Sequence, residues 1–242
     1  MRLDKALASS GYGTRSEVKA LIAKGLVTVS GSVIKDPGFI ISDADKDSIE
    51  VRGSKAGIKE HIYLVFNKPD GVLTAMEDKR LPHVGEYIPS NLRNRKLSPV
   101  GRLDYHTTGL LIITNDGELS HRLTSPVYGI PKVYEVTYSG APLTEAEKKS
   151  ASQGITLTDK DTPVKLKPSV LEIIEDGIAH LTLTEGKTHE VRRIFANWNR
   201  PVVTLRRISL GGVTLDEDLK EGELRELTQE ETDSLKKITG LL

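Results

Sequence analysis

Cysteine is absent from the sequence, which excludes disulfides, thiol nucleophiles and cysteine-ligated zinc. Net charge is absent as well: 34 lysines and arginines face 34 aspartates and glutamates across 242 residues. Overall charge therefore gives no sign of a polyanionic partner, and such a ligand would need the charge to be segregated along the chain. Long apolar runs are missing, and no stretch approaches the length of a membrane span. The opening Met1-Arg2-Leu3-Asp4-Lys5 has no apolar core of the kind a signal peptide needs. The expectation is a cytoplasmic protein with no membrane attachment, long enough for one large domain or two smaller ones.

Segregation is what the charge shows. Lys187, Arg192, Arg193, Arg200, Arg206 and Arg207 crowd one segment with only Glu190 opposing them. The tail holds Asp216, Glu217, Asp218, Glu221, Glu223, Glu226, Glu230, Glu231 and Asp233. A basic stripe with acidic surface elsewhere fits nucleic-acid binding, and from charge alone the solvated faces of ordinary helices fit equally well. His106, His121 and His189 match no zinc spacing, so no metal is expected.

From Met1 to about Gly53 the pattern is two short helices and a hairpin. Leu3, Ala6 and Leu7 sit at helical spacing and Gly11 stops that segment. Thr14-Arg15-Ser16-Glu17 is a capping box for a second helix with Val18, Leu21 and Ile22 as its apolar stripe and Gly25 beyond its end. Leu26 to Val29, a Ser30-Gly31 turn, Val33-Ile34, and Ile49 with Val51 read as short strands. The arrangement resembles the S4 RNA-binding module, carried by Arg2-Leu3-Asp4-Lys5, Ser16 with the helix to Lys24, and Val27-Thr28-Val29 with Gly31. The resemblance implies one basic face for RNA phosphates made by Arg2, Lys5, Arg15, Lys19 and Lys24. Without it, these are cations on solvated helix faces. Gly53 to Gly57 reads as a flexible linker.

The most informative stretch runs from Gly101 to Gly117. Arg102 and Asp104 flank one leucine; Gly109 follows two threonines. Leu110 to Ile113 is an unbroken apolar run, as in a strand buried on both faces. Asn115-Asp116-Gly117 marks a turn, with Asp116 a fair N-cap for a helix to about Leu123. A carboxylate just ahead of a buried strand sits on a rigid support while its loop faces a ligand. The plain alternative is that Asp104 closes a turn or pairs with Arg102.

The whole string, Gly-Arg-Leu-Asp-x-x-Thr-x-Gly-Leu-Leu followed by Thr-Asn-Asp-Gly, resembles the catalytic segment of the ribosomal pseudouridine synthases. Further motifs agree. Strand-like Ile62 to Phe66 ends in Asn67-Lys68-Pro69-x-Gly71, where Lys68 and Pro69 read as architectural. Lys132-x-Tyr134 leads a strand to Tyr138, and Thr124-Ser125-Pro126 follows the Ser120-His121-Arg122 helix. Glu185-Gly186-Lys187-Thr188-His189-Glu190-Val191-Arg192-Arg193 opens a helix whose buried stripe is Val191, Ile194, Phe195 and Trp198.

The resemblance implies that Asp104 is the essential catalytic residue. It implies that Tyr134 stacks on the target uracil, worth about 1–3 kcal/mol. Arg102 would hold phosphate or fill the gap left by a flipped base, and Arg192 would pair with Asp104, since a nearby cation favours an ionised carboxylate. Two positions depart from the family pattern: Glu190 stands where glutamine is usual, and His106 where an acidic or amide residue is usual. The reaction breaks the N1–C1′ bond of uridine, turns the base and rejoins it through C5, with no oxidation, so no cofactor is expected.

The remaining patterns are ordinary. Thr74 to Lys96 is a polar loop with Arg80, Arg93, Arg95 and Lys96 available to RNA. Thr144 and Thr228 start capping boxes, and Gly154 closes the first of those helices. Val164 to Ile174 and Ile178 to Thr184 read as two strands around a Glu175-Asp176-Gly177 turn, and Arg206 to Leu215 as a return strand turned at Gly211-Gly212.

The expected fold is α+β: a small S4-like RNA-binding module over residues 1–53, a linker over 54–60, and a larger mixed, mainly antiparallel-sheet pseudouridine synthase domain over 61–242. The expected function is isomerisation of a specific uridine in ribosomal RNA, in 16S rRNA at the family's uridine 516. Free rRNA or a subunit assembly intermediate would be the partner of a monomeric enzyme. Three competing readings are a 23S rRNA synthase, a non-catalytic RNA-binding assembly factor, and a metal-dependent hydrolase built on Asp104, His106 and His189.

Overall fold

The computed structural model describes residues 1–42, 44–58, 61–158 and 162–242. The chain forms two compact units, one of residues 1–62 with 88–97, the other of 63–87 with 98–242.

In the first unit, helices α1 (Leu3–Ser9) and α2 (Arg15–Ala23) precede a four-stranded antiparallel sheet of β1 (Val27–Val29), β2 (Ser32–Val33), β3 (Ile49–Val51) and β4 (Ser54–Lys55), ordered β2-β1-β3-β4. Thr14 caps α2 as expected: its hydroxyl accepts from the Glu17 N–H while Glu17 accepts from the Thr14 N–H at 2.6 Å. Leu3, Leu7, Val18, Ile22, Val27 and Ile49 are fully buried against one another. The expected linker is ordered in part: Ser54–Lys55 pair with β3, and Ala56 donates to the Ile49 carbonyl and joins the core. Its last two residues, Lys59 and Glu60, lie outside the described residues. Arg95, read as available to RNA, is buried at the end of a 3₁₀ turn over Ser90–Arg95.

The second unit is one large sheet with helices packed on it. In chain order its elements are β5 (Tyr63–Lys68), β6 (Ser98–Pro99), β7 (Thr108–Thr114), α3 (Gly117–Thr124), β8 (Lys132–Tyr138), α4 (Glu145–Gln153), β9 (Thr156–Leu157), β10 (Val164–Lys165), β11 (Val170–Glu175), β12 (Ile178–Leu183), α5 (Glu190–Asn197), β13 (Val202–Leu210), β14 (Val213–Thr214), β15 (Leu224–Glu226) and α6 (Gln229–Ile238). Strands run in the order β11-β12-β8-β13-β7-β5-β15, with β14 beside β13 and β6 beside β7. Every pairing in this sheet is antiparallel except β13 with β7, at the centre, where Arg206 and Arg207 lie opposite Thr108 and Gly109.

That parallel pair needs Gly109. Its φ is +97°, and a Cβ there would lie 2.3 Å from the Arg207 carbonyl oxygen. Leu110 to Ile113 are fully buried, as the apolar run predicts. On either side of the central strands, Val191, Ile194 and Phe195 of α5 pack with Val136, Leu181 and Leu205, while Leu119 and Leu123 of α3 pack with Val65, Ile112 and Leu235 of α6.

The expected strand from Val164 to Ile174 breaks in two. Pro168 has no N–H to give, the Lys167 N–H goes to a Glu185 carboxylate oxygen at 2.6 Å, and the Ser169 N–H goes to the Ala151 carbonyl. β10 pairs with β9, and only β11 joins the large sheet.

Candidate active site

Asp104 lies in the loop that enters β7, and every backbone carbonyl from Leu103 to Thr107 has a donor. The Thr74 hydroxyl donates to Leu103 O at 2.7 Å, and the Thr107 N–H to Asp104 O at 3.0 Å. Tyr105 O accepts from the Gly71 N–H and from Lys68 Nζ at 3.2 Å. His106 O accepts from Arg192 Nη2 at 2.9 Å, and Thr107 O from Lys68 Nζ at 2.9 Å. A loop with all of its acceptors engaged has little freedom to reorient, so the carboxylate it carries is held in place before any ligand arrives.

Lys68 is the unexpected member of this set. It ends an apolar strand and is fully buried, with its ammonium also reaching Pro69 O at 3.1 Å. Burial pushes its pKa down to about 8, and Asp70, Asp104 and Glu221 act in the opposite sense. The architectural reading of Lys68 thus takes a specific form: one buried cation clamps both sides of the loop. The sequence signal was available in a lysine continuing a strand in which Leu64, Val65 and Phe66 are apolar and only Asn67 intervenes.

The Asp104 side chain keeps 41% of its surface exposed, so it faces an opening. One cavity of about 330 Å³ is lined by Arg102, Asp104 and Tyr134 together with the segment from Gly186 to Val191. This volume lies within the range usual for small-ligand sites, about 300–1,000 Å³. Tyr134 is half-buried on β8 against the core, and Arg102 is exposed. A second, wider cavity of about 870 Å³ adjoins it, sharing Asp104 and His189 and adding His106, Arg192 and Arg206. Asp104, Tyr134 and Arg102, three of the expected site residues, are therefore brought together, and Arg192 lines the adjoining cavity.

The expected pairing of Arg192 with the Asp104 carboxylate takes a different form. Arg192 binds the backbone at His106, and the side chain that meets the carboxylate is His189, with Nε2 3.7 Å from Oδ1. The cause is local. His189 is the N-cap of α5 and adopts a left-handed conformation, φ +51°, uncommon for a residue with a side chain. The helix begins at Glu190, and Arg192, its third residue, reaches the His106 carbonyl. His106 in turn faces Asp70, Nδ1 to Oδ1 at 3.0 Å.

Beneath the pocket wall lies a buried polar cluster that the sequence did not reveal. Glu190 is 4% exposed and Glu185 6%. Glu190 Oε2 accepts from the Lys187 N–H at 2.7 Å. Glu185 accepts from the Lys167 N–H and from Lys187 Nζ, both at 2.6 Å. Burial, with Glu185 adding to it, raises the Glu190 pKa to about 7, while the Lys187 N–H pulls the other way. Burial also lowers Lys132 to about 8, helped by Arg207. Arg207 is buried with its Nε on the Leu110 carbonyl at 2.8 Å. These charged residues come from four separate segments, and only folding joins them.

On the first unit, Arg2, Lys5, Arg15, Lys19 and Lys24 are all exposed. Arg2 makes a two-bond contact with Asp4, both at 3.0 Å. No group of three or more potential metal ligands occurs among the described residues.

Residues 62–197 match the family model described as RNA pseudouridylate synthase, and residues 1–47 match that of the S4 domain. The chain is 41% identical to the uncharacterized RNA pseudouridine synthase YtzG of Bacillus subtilis, over 96% of each protein. It is 38% identical to ribosomal small subunit pseudouridine synthase A of Haemophilus influenzae, over 98% of this chain and all of that one. A crystal structure of a pseudouridylate synthase superposes with a TM-score of 0.67 at 37% identity, covering 97% of this chain and 99% of the other. With an S4 domain ahead of a mainly antiparallel catalytic sheet, the chain belongs to the RNA pseudouridylate synthase family and is a pseudouridine synthase.

Proposed function

We propose that the protein isomerises a single uridine of 16S rRNA, the family's uridine 516, acting as a cytoplasmic monomer on free rRNA or on a subunit assembly intermediate. The observation that carries the reading is an aspartate on a fully hydrogen-bonded loop, open to a cavity that a tyrosine also lines. The small-subunit assignment is supported by the likeness to the Haemophilus enzyme along its whole length. A ribosomal large subunit pseudouridine synthase B of Bacillus subtilis is 36% identical over 98% of this chain, so 23S rRNA is the competing substrate.

In this reading the target uridine leaves its stack and enters the cavity, at a cost of a few kcal/mol offset inside the pocket. Tyr134 stacks on the base and Asp104 acts as nucleophile or base on the sugar or ring. Arg102 holds phosphate or fills the vacated stack. Arg192 and Lys68 act through the loop, fixing where the carboxylate points. Arg2, Lys5, Arg15, Lys19 and Lys24 bind RNA phosphates without reading sequence.

The test is pseudouridine formation on 16S and 23S transcripts, with and without bound ribosomal proteins, by wild type and Asp104→Asn. Modification of one 16S site by the wild type, with Asp104→Asn binding RNA but not turning over, is the expected result. Turnover by Asp104→Asn refutes the assignment of the aspartate, and a modified site in 23S alone redirects the substrate.

A further inference from the structure

The Glu185–Glu190 pair has a feature that the reaction does not use. Glu190 Oε2 is satisfied by the Lys187 N–H, but Oε1 is buried and no donor reaches it. Beside it lies the Glu185 carboxyl, whose two oxygens already take the Lys167 N–H and Lys187 Nζ. Two carboxylates cannot hydrogen-bond to each other; a bond forms only when one carries a proton. Of the two, Glu190 is the one whose second oxygen lacks a donor, so the proton belongs there.

The groups facing the pair bear this out. Lys187 comes from the segment before α5, Lys167 from the segment before β11 and Lys132 from β8, with Arg207 of β13 beside Lys132; His189 on the same turn faces Asp104 instead. The nearest cation, Lys187, spends its ammonium on Glu185 at 2.6 Å and on the Lys165 carbonyl at 3.3 Å. Lys132 gives its ammonium to the Ile130 carbonyl at 3.1 Å. Neither cation makes a direct contact that would balance a second negative charge on Glu190.

This pair also sets the wall of the pocket. Lys187 and Glu190 bond reciprocally, the Glu190 N–H to Lys187 O at 3.1 Å and the Lys187 N–H to Glu190 Oε2. The closed turn between them contains Thr188 and His189, which line the cavity with Asp104, and includes the left-handed backbone at His189. Ionisation of Glu190 places an uncompensated charge under that turn, against Glu185, and the relief available is for the turn to open.

We propose that Glu190 is a positioning residue that holds the base-pocket wall in its neutral form, its proton bridging to Glu185, and that losing this proton opens the wall and weakens binding of the target uridine. The inference rests on the assignment of this cavity as the uridine site. Raised by burial to about 7, Glu190 passes between its two states in the neutral range.

The experiment measures KM and kcat for pseudouridine formation at roughly pH 6 and roughly pH 8, each protein being compared only with itself. Over that span the neutral fraction falls from about nine-tenths to about one-tenth, so wild-type KM is expected to rise about tenfold. In Glu190→Gln the amide keeps both contacts, accepting from Lys187 and donating to Glu185, and the KM ratio is expected to fall to near one. A Glu190→Gln ratio equal to the wild-type ratio, or a flat wild-type profile, overturns the proposal.

Two further measurements do not depend on that variant folding. Glu185→Gln removes the facing negative charge, so the rise in KM should move to lower pH, and an unmoved midpoint counts against the shared proton. Infrared difference spectra of the wild type should show a protonated carboxyl disappearing near pH 7, and its absence overturns the proposal directly. Asp104→Asn on the same RNA separates the two readings. Full turnover by Asp104→Asn removes the uridine site itself, whereas a dead Asp104→Asn with an unchanged Glu190→Gln profile removes the proton alone.

Discussion

Lys68 and Asp104 form a unit of two side chains that do not touch, joined through the backbone between them. Removing the ammonium leaves Pro69 O and Thr107 O without the donor they have, while Tyr105 O keeps the Gly71 N–H. A misplaced catalytic group costs on the order of a hundredfold in rate for a shift of about 1 Å. Lys68→Met is therefore expected to lose about that much kcat with KM little changed, read by single-turnover pseudouridine formation. Its stability should change less than the missing bonds suggest, because the variant also relieves the burial of a charge. An unaltered kcat would show that the loop holds its shape without the clamp.

Among the elements, the parallel pairing of β7 with β13 decides where the active-site loop ends. Gly109 lets the Arg207 backbone approach, and Gly109→Ala would put a methyl against the Arg207 carbonyl in a conformation that alanine avoids. Overpacking and backbone strain of this kind cost about 1–3 kcal/mol each. Denaturant unfolding should show a loss of several kcal/mol, accompanied by loss of turnover. The helix α4 gives the contrast. Its Thr144–Glu147 capping box is exposed, and the helix lies outside both cavity linings. Thr144→Ala should cost about 1 kcal/mol by the same measurement and leave kcat and KM alone. Equal effects from the two substitutions would mean that sheet and helix are not separable in this way. Here the capping boxes at Thr14, Thr144 and Thr228 were legible because a cap joins groups only three residues apart in sequence. The break at Leu166–Ser169 was not, because the groups that take its backbone donors, Glu185 and Ala151, are distant in sequence.

For the molecule as a whole, pH acts on stability through Glu190. Its folded pKa of about 7 lies above its ordinary 4.5, so between those values the native state holds a proton that the unfolded chain has released. Stability from this group is fully present below about 4.5, falls as pH rises toward 7, and is level above it. The span corresponds to on the order of 3 kcal/mol. Glu190→Gln should lack this decline, so thermal melts of the two proteins should draw apart as pH rises through the window. Salt acts on the proposed RNA face. Replacing Lys5, Arg15, Lys19 and Lys24 with alanine should weaken RNA binding and reduce the slope of log affinity against log salt by about 0.7–0.9 for each phosphate no longer neutralised. An unchanged slope would move the RNA-binding surface elsewhere.

The sequence alone determined the two-part organisation of helices and strands, the buried run before the turn at Asp116, and the residue types of the pocket, because these depend on periodicity and on motifs a few residues long. Only the tertiary structure decided which cation serves the Asp104 loop, that Arg192 holds a carbonyl while His189 meets the carboxylate, and that Glu185 and Glu190 share one buried site. Those choices depend on which strands become neighbours and how much water reaches each charge. No local pattern of residues encodes either quantity.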